Sequence, residues 1–292
     1  MKLARNPRLT APRLTLLAAV AAIAALLSVT SQGNPAHAAT ARTRHPAVPA
    51  GASEPRPTIV LVHGAWADSG SWNGVVRRLQ QAGYTVDAPP NPLQGLPYDT
   101  ATLTDFLHTI TGPIVLVGHS YGGMVITNAA AGDSQVKALV YDDAYVPARG
   151  ETLESLTTAG SCFAVPDLST VFSFTPFPGA PSGVYDAYVK QSVFPGCFAN
   201  GLPASEAAVL AATQRPLATS TFTDPSGVPA WQTIPSWDVI GTADHIVTPA
   251  EQLFMAQRAH ARITEINAPH LSMISDPGVV AGVIIQAARS AG

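Results

Sequence analysis

Charged side chains are scarce in this sequence, and the balance among them excludes several classes of partner. Only 12% of the 292 residues are charged, whereas 47% are hydrophobic, a composition typical of globular proteins rather than of disordered chains. The formal net charge is −3, and no basic patch interrupts the body of the chain. Because nucleic acids and anionic membranes attract basic surfaces, we expect neither as a partner and favour a small, uncharged ligand.

Long apolar runs are equally scarce, and the one that stands out lies near the N-terminus. Four basic residues precede an apolar stretch at 14–29, and Ala36-His37-Ala38 supplies a small-x-small cleavage pattern. These features predict a secretory signal peptide at 1–38, cleaved after Ala38. A membrane anchor is the alternative, but the run falls short of the ~20 strongly apolar residues that a span needs.

Export would change both the charge and the environment of the chain. The mature protein would keep 12 basic and 19 acidic side chains, a net charge of −7. We expect a secreted protein with no stable membrane insertion, beginning with a flexible lead-in at 39–57 that lacks periodicity.

Cysteine is nearly absent, which limits redox and metal chemistry. Cys162 and Cys197 are the only two cysteines, and an oxidising compartment favours a disulfide between them over two unpaired buried thiols. Neither lies beside a histidine or in a Cys-x-x-Cys motif, which disfavours a catalytic cysteine. No grouping of His, Cys and carboxylates has the spacing of metal ligands, so we expect neither a metal nor another cofactor.

What is present is a regular alternation of strands and helices. Apolar spacing predicts strands at 58–62, 84–88, 114–117, 136–141, 237–240 and 263–266, and helices at 72–81, 98–111, 121–131, 250–259 and 277–288. The continuously apolar strands are typical of a parallel sheet that is covered on both faces. Between 147 and 235 the alternation breaks, and prolines and phenylalanines surround one helical stretch at 205–213. We predict an α/β core at 58–146 and 236–292, with helices on both faces of a mostly parallel sheet, and a cap insertion at 147–235.

A Gly-x-Ser-x-Gly motif marks the junction between one of these strands and the following helix. Gly118-His119-Ser120-Tyr121-Gly122 follows the strand at 114–117 and opens the helix at 121–131. A strand that turns directly into a helix strains the serine and exposes its hydroxyl, and only small neighbours leave room for the turn. We therefore predict that Ser120 is a nucleophile.

A serine nucleophile needs a base and an acid that orients the base. His270 follows the last strand and precedes the last helix, the expected place for a base that reaches the same sheet edge as Ser120. Two carboxylate sites compete for the acid role: Asp244, after the strand at 237–240, and Asp142-Asp143, after the strand at 136–141. We favour Asp244 because the three residues then follow the order Ser, Asp, His along the chain, which is the order that accompanies a Gly-x-Ser-x-Gly turn between a strand and a helix. Asp143 would then anchor a loop or contact the cap.

The oxyanion of an acyl-transfer intermediate needs two backbone N–H donors. The loop after the first strand and the residue after the nucleophile supply them in this type of site, which predicts the N–H groups of Ala65 and Tyr121. We further expect substrate contacts from four aromatic or imidazole side chains: Trp66, His119, Phe172 and Phe174.

Six segments of the sequence resemble those of a known superfamily. They are VHGAW, GHSYGGM, LVYDDAYVP, SGVPAWQTIPSW, GTADHIVTP and APHLSM, from about residue 57 onward. The chain resembles the α/β-hydrolases, and within them a group of bacterial serine hydrolases related to the plant methylesterases and hydroxynitrile lyases. The resemblance implies Ser120 as nucleophile, His270 as base and Asp244 as acid. It also implies a helical cap inserted after the strand that ends at Tyr141.

Two positions distinguish the reactions of this group. Its hydroxynitrile lyases carry a threonine after the first-loop histidine and a lysine after the catalytic histidine, whereas this chain has Gly64 and Leu271. The leading hypothesis is therefore a secreted serine esterase that acts on a small ester. A lactonase, a carbon-carbon bond hydrolase or a lyase of the same fold are alternatives, as is a non-catalytic ligand-binding protein. The natural substrate and the oligomeric state stay open.

Overall fold

The structure, a computed structural model, describes residues 56–291. The predicted signal peptide at 1–38, its cleavage site after Ala38 and most of the lead-in at 39–57 lie outside the described residues. Among residues 56–291, no helix combines the length and hydrophobicity that crossing a bilayer requires.

Strands and helices alternate through the first part of the described chain. The elements are β1 (Thr58–Val62), α1 (Asn73–Gln81), β2 (Val86–Asp87), α2 (Leu96–Leu107), β3 (Ile114–His119), α3 (Tyr121–Ala129) and β4 (Val136–Asp142). These elements agree with the sequence prediction in type and order, but β2 is shorter than the expected strand at 84–88, and α2 ends at Leu107 whereas the predicted helix runs to 111. The α3 helix begins at the residue directly after Ser120.

The segment after β4 contains a second, smaller sheet. Its elements are α4 (Leu153–Leu156), β5 (Phe172–Thr175), β6 (Asp186–Val189), α5 (Ala204–Thr213) and β7 (Leu217–Ala218), with the strands antiparallel in the order β5-β6-β7. The resemblance implied a helical cap, and this sheet departs from it. In β6 the buried and half-buried side chains alternate, which is the period of a strand packed on one face. The extent of the cap at 147–235 stays a prediction.

The remaining elements complete the central sheet. They are β8 (Ser236–Gly241), α6 (Pro249–Arg258), β9 (Arg262–Ile266), α7 (Ser272–Ser275) and α8 (Pro277–Ser290). Six strands in the order β2-β1-β3-β4-β8-β9 all pair in parallel. Every residue of β3 and of β8 is buried, so the sheet is covered on both faces, as predicted for the fold class.

The parallel sheet brings the carboxyl ends of its strands to one edge. The loops after β3, β4, β8 and β9 carry Ser120, Asp143, Asp244 and His270 respectively. Residues that are far apart in the sequence therefore lie at the same edge of the sheet.

A disulfide joins two parts of the segment between β4 and β8. Cys162 and Cys197 are bonded across 35 positions, as the sequence predicted. In the chain-entropy account, closing a loop of this length contributes about 3 to 4 kcal/mol to stability. Phe163 and Phe198, the residues that follow the two cysteines, both pack against Trp66, so the bond fixes part of the wall above the sheet edge.

Candidate active site

The turn at Ser120 has the strained backbone that its motif predicts. Ser120 has φ 51° and ψ −125°, a conformation that costs a non-glycine residue about 1 to 3 kcal/mol. A Cβ on Gly118 would lie 2.6 Å from the carbonyl oxygen of Gly122, and one on Gly122 would lie 2.5 Å from that of Val62. The glycines are therefore required by the close approach of backbone on both sides of the serine.

Ser120, His270 and Asp244 form a continuous chain of hydrogen bonds. Ser120 Oγ lies 3.1 Å from His270 Nε2, and His270 Nδ1 lies 2.8 Å from Asp244 Oδ2. Because a carboxylate only accepts, His270 donates from Nδ1, and Nε2 is left to accept the serine proton. All three side chains are buried, so the chain has the arrangement of a nucleophile, a base and an orienting acid.

Asp244 is itself held by three donors. Its Oδ1 accepts the N–H groups of Ile246 at 2.6 Å and Val247 at 3.2 Å, and its Oδ2 accepts the Gln252 amide at 2.7 Å. Sequence reasoning missed Gln252, because a glutamine within α6 carries no motif that marks its contact with the acid. These donors fix the carboxylate so that Oδ2 faces His270.

The competing carboxylates lie nearby but contact other groups. Asp143 Oδ1 accepts the N–H of Gly241 at 2.7 Å, and its Oδ2 accepts the N–H of Ser272 at 3.1 Å. The structure therefore brings Asp244, not Asp143, to His270. The position of Asp143 fits the loop-anchoring role that the sequence left to it.

Burial shifts the ionisation of the acids around β4 and β8. Removal from water raises the pKa of Asp142 to about 7, and the neighbouring charge of Asp244 adds to the shift. Burial, reinforced by the charge of Asp142, raises the pKa of Asp238 well above its usual range. Neither oxygen of Asp238 has a hydrogen-bond partner within the described residues, which favours the neutral acid in the folded chain.

The ionisation of Asp238 predicts a pH-dependent gain from Asp238→Asn. In the unfolded chain Asp238 ionises above about pH 4, whereas in the folded chain it stays neutral. Between the unfolded and the folded pKa, each unit of rising pH therefore lowers the free energy of unfolding by up to about 1.4 kcal/mol. We expect Asp238→Asn to raise the free energy of unfolding more near pH 7.5 than near pH 5. Urea unfolding at both values measures the difference.

Asp105→Asn is the matched control, because Asp105 is an exposed aspartate on α2. Its effect on the free energy of unfolding should be small and similar at both pH values. An equal effect of Asp238→Asn at the two values would show that Asp238 is ionised in the folded chain.

The predicted oxyanion donors lie at the serine. Ala65 and Tyr121 line the same cavity as Ser120, and the N–H of Tyr121 has no acceptor within α3 because Tyr121 is its first residue. A Cβ on Gly64 would lie 2.7 Å from the Cβ of Ser120. The loop after β1 therefore packs directly against the serine, and the threonine of the lyases has no room there.

A cavity of about 600 Å³ opens above Ser120. Its aromatic lining residues are Trp66, Tyr121, Tyr145, Phe163, Phe172 and Phe222, and its one charged lining residue is Glu154. The rings of Trp66 and Phe172 stack with centroids 5.2 Å apart. A cavity of this size and lining suits a small, largely apolar ligand.

The four predicted substrate contacts divide into two groups. Trp66 and Phe172 line the cavity, whereas His119 and Phe174 do not. His119 is buried beside the base and donates from Nε2 to the carbonyl oxygen of His270 at 2.9 Å. Burial lowers the pKa of His119 well below its ordinary value, so it is a neutral support for His270. Phe174 is 38% exposed on β5.

Comparison with known proteins places this arrangement in a family. Residues 59–283 match the alpha/beta hydrolase family, and the chain belongs to that family. A carbendazim-hydrolyzing esterase from Nocardioides sp. strain SG-4G is 36% identical over 111 residues, covering 34% of this chain and 46% of that protein. A pyrethroid hydrolase from Sphingobium wenxiniae is 32% identical over 114 residues, covering 35% and 41%. The matched segments thus span less than half of these relatives.

The fold is also that of a plant methylesterase. The crystal structure of a methylesterase from Arabidopsis superposes with a TM-score of 0.64 at 16% identity, covering 80% of this chain and 99% of that one. The resemblance to the α/β-hydrolases, which the sequence motifs indicated, is confirmed by the family match over residues 59–283, and the likeness to the plant methylesterase is one of fold.

Proposed function

We propose that this protein is a serine esterase that cleaves small, uncharged carboxylic esters through an acyl-enzyme. The observation that carries the proposal is the buried chain of hydrogen bonds from Ser120 through His270 to Asp244, at 3.1 Å and 2.8 Å. This chain ends at an apolar cavity that can hold a small ester. We also propose, from the signal-peptide pattern alone, that the protein is secreted.

Acylation begins at Ser120. Its Oγ attacks the ester carbonyl while its proton moves to Nε2 of His270, and Asp244 stabilises the imidazolium that forms. The tetrahedral oxyanion accepts hydrogen bonds from the N–H groups of Ala65 and Tyr121. In sites of this kind, each such donor lowers the activation barrier by about 3 to 4 kcal/mol. The carbon–oxygen bond then breaks, and the departing alkoxide takes the proton from His270.

Deacylation repeats these steps with water. His270 Nε2 removes a proton from the water molecule that attacks the acyl carbonyl, and the same two N–H groups hold the second oxyanion. When this intermediate collapses, the proton returns to Ser120 Oγ and the carboxylic acid leaves. The products are one acid and one alcohol.

The residues around the base favour water over lyase chemistry. Cyanide departure calls for a nearby positive charge, but the residue after His270 is the buried Leu271, and Gly64 packs against Ser120. The two curated relatives are named as an esterase and a hydrolase, which supports ester hydrolysis here.

A series of 4-nitrophenyl esters from acetate to decanoate, run beside a panel of lactones, tests the proposal. We expect ester turnover with a preference set by chain length, together with labelling of Ser120 by a fluorophosphonate probe. Lactone opening without ester turnover would make the protein a lactonase. An unlabelled serine and no turnover would favour a ligand-binding protein. For secretion, N-terminal sequencing of protein recovered from culture medium should begin at Ala39.

A further inference from the structure

Two consecutive aspartates, Asp142 and Asp143, lie among the loops that carry Ser120, Asp244 and His270. Asp142 is the last residue of β4, which lies between β3 and β8 in the sheet. The end of β4 is therefore flanked by the turn at Ser120 and by the loop that leads to Asp244. Both aspartates are completely buried.

The aspartate pair contacts the nucleophile turn through its backbone. The carbonyl oxygen of Asp142 accepts the N–H of Ser120 at 3.3 Å, and the N–H of Tyr145 donates to the carbonyl oxygen of Ser120 at 3.2 Å. The strained serine is thus held on both sides by the segment that contains Asp142 and Asp143.

The side chains of the pair connect the acid loop to the base loop. Asp143 accepts one N–H from Gly241, three residues before Asp244, and another from Ser272, two residues after His270. Asp142 Oδ1 accepts the Ser272 hydroxyl at 2.7 Å. Asp143 also has φ 48°, and such strain in a non-glycine residue persists where surrounding contacts fix it.

We propose that Asp143 is a positioning residue that holds the Asp244 loop and the His270 loop at the separation required by their hydrogen bond. The inference rests on the proposed serine hydrolysis and adds a residue that contacts neither the substrate nor the reacting atoms. A loop displacement of about 1 Å can cost about 100-fold in rate. The N–H groups that Asp143 accepts are buried, so loss of the acceptor leaves them unpaired.

Both oxygens of the Asp143 carboxyl group accept a backbone N–H. An asparagine has one acceptor oxygen, and its amide N–H₂ would face one of the two backbone donors. Asp143→Asn therefore removes one contact and opposes it with a like donor, whereas Asp143→Ala removes both. Ser272→Ala removes only the hydroxyl contact with Asp142 and leaves the backbone N–H of Ser272 bonded to Asp143.

Steady-state kinetics per titrated active site test the proposal. We expect kcat to fall about 10- to 100-fold in Asp143→Asn, further in Asp143→Ala and less in Ser272→Ala, with KM within about threefold. Asp238→Asn is the matched control: it changes a buried acid of β8 that has no hydrogen bond to these loops within the described residues, and its kcat should stay within about twofold.

Each outcome decides between positioning and simple stability. Unchanged kcat per titrated site in Asp143→Asn, with a lower melting temperature, would overturn the proposal. If Asp143→Ala does not fold, Asp143→Asn and Ser272→Ala carry the test alone. A wild-type chain without ester turnover would instead refute the proposed function, which keeps the two failures distinct.

Discussion

Ser120→Ala is expected to lower kcat for ester hydrolysis by at least about 10⁴-fold, the loss seen when a serine nucleophile is removed. Ser120 Oγ is the atom that the structure places within 3.1 Å of His270 Nε2 and at the floor of the cavity. Fluorophosphonate labelling should vanish in the same variant. The melting temperature should change little, because alanine keeps the Cβ that the turn already accommodates.

Ser226→Ala is a matched control for Ser120→Ala. Ser226 is also a buried serine, but its hydroxyl accepts the side-chain amide of Asn128 at 3.0 Å, away from the candidate site. Its removal should leave kcat and labelling at the wild-type level. Ester turnover by Ser120→Ala at the rate of the wild type would mean that another group attacks the substrate.

The core of the site could be predicted because its signals are local or topological. The glycines at 118 and 122 mark the turn at Ser120, since backbone approaches both of them too closely for a side chain. The place of His270 follows from the rule that loops after parallel strands share one edge of the sheet. Neither inference required knowledge of how distant side chains pack.

The walls of the cavity could not be predicted in the same way. Phe163 and Phe222 line it, but they lie in a segment whose fold depends on packing against the core rather than on a repeating pattern. Phe172 and Phe174 differ by two positions on β5, yet only Phe172 is buried in the cavity wall. The alternation of the sequence therefore could not decide which residues of this segment meet a substrate.

The support behind the acid was missed for a related reason. Gln252 lies eight residues after Asp244, on α6, and reaches the carboxylate only because the loop between them folds back. A glutamine on a helix is usually a solvated surface residue. Only the tertiary structure distinguishes this buried one, which also donates to the carbonyl oxygen of Val247.

Asp244→Asn is expected to reduce kcat by about 10⁴-fold, the effect of giving the base the wrong tautomer. Two backbone N–H groups, those of Ile246 and Val247, occupy Oδ1. An asparagine that keeps its carbonyl oxygen there turns its N–H₂ toward His270 and toward the side-chain amide of Gln252, which must rotate to present its oxygen. Nδ1 would then have to accept, the proton would sit on Nε2, and the base could no longer take a proton from Ser120.

The competing acid provides the comparison for Asp244→Asn. Asp143→Asn disturbs loop positions but leaves the tautomer of His270 unchanged, so its loss in kcat should be at least about tenfold smaller than that of Asp244→Asn. Measuring kcat for both variants on one ester, with active sites titrated, separates the two roles. The reverse order, with Asp244→Asn nearly as active as the wild type, would assign the orienting carboxylate to Asp143 and contradict the 2.8 Å contact between His270 and Asp244.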